Sequence, residues 1–281
     1  MGYRLLVLDI DGTIVSTVDE VSPAVREAIS RAAECGLEIV LATGRRYSRA
    51  LPFAEALQLK TPLITSSGAL TKTPDKHQTI LRAQFSEEVL RKVLVVLRDL
   101  GFPAAVLGDT FIEGFDYYIE RSDGYRNVFF EDYLKKNAGS EKIWDDFLTD
   151  LPPDIFATFT VGTEEEMKWV ERELHAALPG CLTTNVLRTL RYQGFFCEIM
   201  PSGTSKWSAV CHVAGQRGIA KEEICAVGDD VNDISMICEA GLGVAMGNAP
   251  EKVKEVAHWV APSQEEDGLV AVIERLLENL V

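Results

Sequence analysis

From Arg4 the chain runs through Leu5, Leu6, Val7 and Leu8 straight into Asp9-Ile10-Asp11-Gly12-Thr13. An unbroken apolar run closed by glycine predicts a strand buried on both faces, the kind found in parallel sheets. Asp9 and Asp11 then stand at or just past its C-terminal end. In open α/β sheets that edge is where ligands bind. Two carboxylates so close together are costly to desolvate unless a cation or a proton compensates them. Packing offers no reason for such a pair, so a chemical role is expected.

The same grammar recurs downstream. Ser22-Pro23 starts a helix, with serine as N-cap and proline in the first turn, and Gly36 ends it. Residues 38–42 read as the next strand, closing on Thr43-Gly44-Arg45; a helix over 47–57 and a short strand over 62–65 follow, the latter closing on Ser66-Ser67-Gly68. Strand alternating with helix predicts a doubly wound, Rossmann-like α/β core with a parallel sheet. The texture changes near residue 83. A helix over 86–100, two short strands within 103–114, a stretch over 115–150 without clear period, and a strand over 155–161 are expected. A capping box at Thr163–Glu166 and a strand pair over 181–188 and 195–200 come next. From Ser202 the α/β pattern resumes, with Lys206 in the first turn of a helix and a buried strand over 224–227 ending in Gly228-Asp229-Asp230-Val231-Asn232-Asp233. The expected organisation is a core formed by 1–82 and 190–281, with an α+β domain over 83–189 inserted into it.

Composition narrows the function classes. A formal net charge of −15 argues against nucleic acid or an anionic membrane surface as partner, since both reward Lys and Arg. Small anionic substrates remain compatible, because a local cation and local dipoles outweigh a distant field. The six cysteines include no CxxC and read as buried apolar thiols in a reducing compartment. The charged motif arrives too early for a secretory leader, and no apolar run approaches the ~20 residues of a membrane span. A cytoplasmic protein, monomeric or weakly self-associating, is expected. The aromatic residues Phe115, Tyr117, Tyr118, Tyr125, Phe129 and Phe130 read as core of the inserted domain rather than as a pocket lining.

Four polar clusters stand at strand ends or at a helix start: Asp9 with Asp11, Thr43, Lys206, and Asp229 with Asp233. A doubly wound sheet can bring them to one edge. Three carboxylates and further oxygen donors suit a hard octahedral cation, Mg²⁺ above all. A threonine hydroxyl, a lysine at a helix N-terminus and backbone N–H groups near Gly44 suit a tetrahedral anion. A carboxylate facing that anion can act as nucleophile, and a second one can move a proton.

Asp9-Ile10-Asp11-Gly12-Thr13, Thr43-Gly44-Arg45, Lys206 and Gly228–Asp233 resemble, in order, the four motifs of the haloacid-dehalogenase-like phosphatase superfamily. The large insertion between the second and third motifs, with Ala245-Met246-Gly247-Asn248-Ala249 and Glu266-Asp267-Gly268, resembles the Cof-type or class IIB branch. The resemblance implies Asp9 as nucleophile and Asp11 as general acid/base. It implies Mg²⁺ held by the Asp9 carboxylate, the Asp11 backbone carbonyl and Asp229, with Asp233 supporting the metal. Thr43 and Lys206 would bind the transferring phosphoryl group. Gly44, Arg45, Ser67, Gly68 and Asn232 would line the phosphate and substrate side. The family often has Asn-Gly-Ala where this chain has Ser67-Gly68-Ala69, so the substrate contact at Ser67 departs from the pattern.

Asp11 also discriminates within the superfamily, since a carboxylic acid is useful only when an alkoxide leaving group must be protonated. The expected activity is Mg²⁺-dependent hydrolysis of a small phosphorylated metabolite such as a sugar phosphate, through an aspartyl phosphate, with the inserted domain closing over the core as a cap. A phosphomutase running on the same residues and a non-enzymatic phosphometabolite-binding protein are the competing readings. A calcium loop through Asp9, Asp11, Thr13 and Glu20 is disfavoured, because Ile14 stands where that loop needs glycine.

Overall fold

The computed structural model describes residues 2–16, 19–121, 127–188 and 191–278. They form two compact units, 1–81 with 205–281 and 82–204.

In chain order, the first unit begins with β1 (Leu5–Leu8), α1 (Pro23–Glu34), β2 (Glu38–Leu41), α2 (Tyr47–Ala56), β3 (Leu63–Thr65), β4 (Leu70–Lys72) and β5 (Thr79–Arg82). The second unit holds α3 (Glu87–Asp99), β6 (Ala105–Gly108), β7 (Tyr117–Glu120), α4 (Val128–Lys136), β8 (Glu141–Trp144), β9 (Ile155–Gly162), α5 (Glu164–Ala177), β10 (Leu182–Arg188) and β11 (Phe195–Pro201). The chain returns to the first unit with α6 (Lys206–Gly215), β12 (Ile224–Gly228), α7 (Ile234–Glu239), β13 (Leu242–Ala245), α8 (Glu251–Lys254), β14 (Trp259–Val260) and α9 (Gly268–Glu278).

The first unit is built on a five-stranded sheet in the order β14-β13-β12-β1-β2, with every neighbouring pair parallel. All four residues of β1 are buried, as its continuous apolar run requires. Leu5 and Val7 pack with Val210 and Val213 of α6, and α1 packs against α9. The winding direction reverses between β1 and β12. That reversal is the topological switch point at which doubly wound sheets open a crevice. The local signals act as expected at α1: the Ser22 hydroxyl accepts from the Val25 N–H, and Gly36 takes the left-handed conformation just past the helix.

The second unit is an α+β layer on a six-stranded sheet in the order β10-β11-β9-β6-β7-β8, antiparallel except for β7 with β8. Leu90, Val93, Leu94 and Leu97 of α3 and Met167, Val170 and Leu174 of α5 share one apolar cluster against it. Tyr117, Tyr118 and Phe130 are buried in this unit. Tyr125 lies outside the described residues.

Three expectations are corrected. The sequence puts the return to the core at 190, a position outside the described residues; β11 pairs with both β9 and β10, and the second compact unit runs to Thr204. Only one strand, β6, forms within 103–114, because Phe111–Glu113 turns as a 3-10 helix and the second strand waits until Tyr117. Of the six cysteines, Cys35, Cys211 and Cys238 are exposed, and only Cys197 and Cys225 are fully buried. Among the described residues, no helix is long and apolar enough to cross a membrane.

Candidate active site

The parallel sheet delivers its polar residues to one edge. Asp9 follows β1, Thr43 follows β2 and Asp229 follows β12, while Lys206 opens α6 behind its N-cap Ser205. Lys206 is only 1% exposed, and its Nζ lies 2.6 Å from Asp9 Oδ1 and 2.6 Å from Asp233 Oδ1. A buried ammonium is tolerated because two carboxylates surround it, and they hold its proton more tightly than usual against the opposing effect of burial. Asp233, fully buried, gives its other oxygen to the backbone N–H groups of Asp229 and Asp230, both at 3.0 Å. It thereby ties the loop after β12 to Lys206.

Carboxylate oxygens of Asp9, Asp229 and Asp233 lie within 4.8 Å of one another. Burial pushes the Asp9 carboxyl up to about 8; Lys206 pulls it down, while Asp233 and Asp11 push it further up. Asp229 is likewise raised well above the usual carboxylate range, by burial first and then by Asp9 and Asp233. One ammonium does not balance this much buried acid. The site therefore has the electrostatics of a cation site and an all-oxygen donor set suited to a hard divalent metal.

Asp11 is arranged differently from Asp9. Its side chain is 51% exposed and clasped by Arg45, with Nε at 2.7 Å from Oδ2 and Nη2 at 2.5 Å from Oδ1. The Arg45 guanidinium also reaches Asp19 Oδ1 at 2.6 Å and lies over the Phe53 ring, 4.6 Å from its centroid. Stacking and two carboxylates fix its plane. Two aspartates two positions apart thus occupy opposite environments: one buried beside an ammonium, the other outward and in a guanidinium fork.

Thr43 is fully buried, and its hydroxyl accepts from the Arg45 N–H at 3.2 Å; Gly44 is the bend between them. Ser66, Ser67 and Gly68 form three consecutive left-handed residues. For the two serines this conformation is strained, at roughly 1–3 kcal/mol per residue. The turn carries the Ser67 N–H to the Thr43 carbonyl at 3.0 Å and the Ser67 hydroxyl to Asn232 Nδ2 at 3.1 Å. Gly68 is required as well, since a Cβ there would lie 2.0 Å from the Ser205 carbonyl oxygen. Thr43, Ser67, Gly68, Lys206 and Asn232 are in this way wired into one layer.

Sequence reasoning did not find the Arg45–Asp11 clasp, the second carboxylate at Asp19, or the tight seats at Gly12 and Gly228. A Cβ on Gly12 would meet Asp229 Oδ2 at 2.1 Å, and one on Gly228 would meet Asp233 Cγ at 2.4 Å. The glycines preceding or following each aspartate were the available signal, because a carboxylate packed on backbone leaves no room for a side chain.

Known proteins resemble this chain over nearly its whole length. The family of haloacid dehalogenase-like hydrolases matches residues 6–273. The pyridoxal phosphate phosphatase YbhA of Escherichia coli (strain K12) is 29% identical over 291 residues, covering 97% of this chain and 98% of that protein. The 5-amino-6-(5-phospho-D-ribitylamino)uracil phosphatase YcsE of Bacillus subtilis (strain 168) is 28% identical over 276 residues, covering 97% of this chain and 95% of that one. A haloacid dehalogenase-like hydrolase from Bacteroides thetaiotaomicron, of known crystal structure, superimposes with a TM-score of 0.78 at 29% identity, covering 98% of this chain and 99% of that one. The chain belongs to the haloacid dehalogenase-like hydrolases, as a Cof-type phosphoric monoester hydrolase.

Proposed function

We propose that this enzyme hydrolyses small phosphorylated metabolites, sugar phosphates among them, with Mg²⁺, by passing the phosphoryl group through Asp9. The observation that carries the reading is the asymmetry of the aspartate pair. Asp9 is buried with Lys206 at 2.6 Å, whereas Asp11 is exposed and held by Arg45. A nucleophile needs an ionised, fixed carboxylate aimed at phosphorus, and a general acid needs access to solvent and to the leaving oxygen.

The oxygen donors fit Mg²⁺, with Asp9, Asp229 and the Asp11 backbone carbonyl as its holders. Asp233 serves it indirectly, because its two oxygens are already engaged by Lys206 and by two backbone N–H groups. When bound, the metal supplies positive charge that offsets the repulsion between the Asp9 carboxylate and a phosphate dianion. Lys206 and the Thr43 hydroxyl steady the equatorial oxygens of the transferring group. Asp9 Oδ attacks phosphorus and the ester oxygen departs. Asp11 gives that oxygen a proton, then takes one from the water that hydrolyses the acyl phosphate. For the first step Asp11 must carry a proton, so its clasp by Arg45 must loosen when substrate arrives.

Two relatives are named for compact phosphorylated substrates, pyridoxal phosphate and a phosphoribitylamino-uracil, which supports a substrate of that size.

The test is hydrolysis of an aryl phosphate and a panel of phosphorylated metabolites, with Mg²⁺ and with chelator, by the wild type and by Asp9→Asn. The expected result is metal-dependent turnover that the substitution lowers by more than the ~10²–10⁴-fold typical of general acid–base catalysis. Folded wild type with Mg²⁺ that turns over no phosphate, or an Asp9→Asn enzyme of undiminished rate, would overturn it. Transfer of label between two positions of a sugar phosphate would identify a mutase instead.

A further inference from the structure

Asn248 belongs to the loop after β13. Its amide makes three hydrogen bonds to three separate segments. Oδ1 accepts from the Gln264 N–H at 2.9 Å, while Nδ2 donates to the Gly12 carbonyl at 2.9 Å and to Asp229 Oδ2 at 3.1 Å. The assignment of oxygen and nitrogen is forced, because a backbone N–H can only donate and a carbonyl can only accept. The Gln264 N–H therefore orients the amide so that both of its hydrogens face the loop of β1 and the carboxylate of Asp229.

Among the described residues, the Asp229 carboxylate has one other side-chain hydrogen-bond neighbour. Thr13 Oγ1 stands 3.5 Å from its other oxygen, at the outer limit of a hydrogen bond. The backbone of Gly12 lies so close that no Cβ fits between them. The carboxylate is thus boxed on one side and steered on the other by a single side chain. The segment that steers Asn248 is itself firmly seated. Ser263 and Glu266 form a capping box, the Gly247 N–H donates to the Pro262 carbonyl at 3.2 Å, and Gly268 packs where a Cβ would lie 2.0 Å from the Pro262 oxygen.

We propose that Asn248 is a positioning residue that holds Asp229 in its metal-binding orientation, with the Gln264 N–H as the anchor that turns the amide. The inference rests on the reading of Asp9 and Asp229 as metal ligands. Outer hydrogen-bond partners of ligating carboxylates are typically worth ~10–100-fold in metal affinity.

The experiment is equilibrium Mn²⁺ binding to the full chain without substrate, read by electron paramagnetic resonance of the free ion, alongside thermal melting in chelator. Three variants are compared with wild type. Asn248→Ala removes the amide. Gln264→Pro removes only the anchoring N–H: residue 264 opens a 3-10 turn, and Ser263 before it is extended at φ −66°, ψ 163°, a conformation that a following proline favours. Gln264→Ala keeps the N–H and should bind as wild type does. Asn248→Ala is expected to weaken Mn²⁺ about 10–100-fold. Gln264→Pro should weaken it by a smaller factor, with metal-free melting close to wild type. Wild-type affinity in a folded Asn248→Ala, or in Gln264→Pro where Asn248→Ala fails to fold, overturns the proposal. Wild type that binds no Mn²⁺ overturns the metal reading itself, a result distinct from the first.

Discussion

The two units treat charge in opposite ways. In the first, Asp9, Lys206 and Asp233 are buried side by side at the sheet edge, and Asp229 is half-buried beside them. In the second, the buried polar side chains among the described residues are neutral: Thr110, Asn137, Thr158, Thr160 and Thr204. Its charges sit outside as helix pairs such as Glu87 with Arg91, Glu88 with Lys92 and Glu164 with Lys168. Burying charge is expensive, and a fold accepts it where several partners converge and chemistry uses the result. The inserted unit is held by apolar layers and aromatic contacts, and among its described residues no buried charge demands a counter-ion. The contrast makes the buried charges of the core the part of the molecule whose removal should matter most.

The largest expected effect breaks the core's charge balance. Lys206→Met leaves Asp9 and Asp233 facing each other without their ammonium. Removing one partner of a buried ion pair typically costs about 3–5 kcal/mol, and a loss of that size is expected in urea melts of the metal-free protein at neutral pH. A Lys206→Met protein as stable as wild type at neutral pH would show that the cluster is not the electrostatic keystone of the core.

A second, smaller effect sharpens the comparison through pH. The Asp9 carboxyl is raised from 3.8 to about 8, chiefly by burial. Between these values the folded, metal-free protein keeps a proton that the unfolded chain has released. That stability is fully present below about pH 4 and is lost as pH rises through about 8. A metal ion needs the carboxylate ionised and so displaces the proton. Melting temperature in chelator should fall across this window, and the rise on adding Mg²⁺ should grow with pH. A Mg²⁺ increment that is the same at pH 5 and pH 8 would contradict the raised affinity of the site for protons.

The contrast between the units also explains which parts of the chain were legible. In the core, one continuous apolar run marks β1, and each strand closes on a polar cluster, because parallel strands buried on both faces have no alternation to hide them. The helix signals at Ser22, Gly36 and Thr163 are local chemistry and could be read one residue at a time. In the inserted unit, β8 is an edge strand, Glu141-Lys142-Ile143-Trp144, with its two middle residues exposed, and no period marks it. The helix α4 is rich in aromatics, which are indifferent helix formers, and it is set by packing: Tyr133 meets Phe159 at 5.0 Å and Phe196 at 5.6 Å between ring centroids. The pairing of β11 with β9 decides the second domain boundary, and no local feature encodes a pairing across that distance in the chain. At the site, residue types and order pointed to Asp9, Asp11, Thr43, Lys206 and Asp229. The clasp of Asp11 by Arg45 and the three-way bond of Asn248 were not readable, because each joins segments brought together only by the sheet.

The smallest expected effect belongs to the inserted unit and completes the comparison. Glu164 and Lys168 form an i,i+4 pair at 2.5 Å on α5, with side chains 49% and 55% exposed. Water screens such a pair, and ordering two long side chains offsets most of its attraction, so exposed helix pairs contribute about 0.3–0.5 kcal/mol. Lys168→Gln should therefore shift the urea midpoint of the full chain barely beyond measurement scatter, and raising the salt concentration should erase even that shift. The same salt series on Lys206→Met should leave most of its loss in place, because ions screen a buried cluster poorly. If the two variants responded alike to salt, charge in the core would be no better shielded than charge on the helix surface, and the division between the units would not hold.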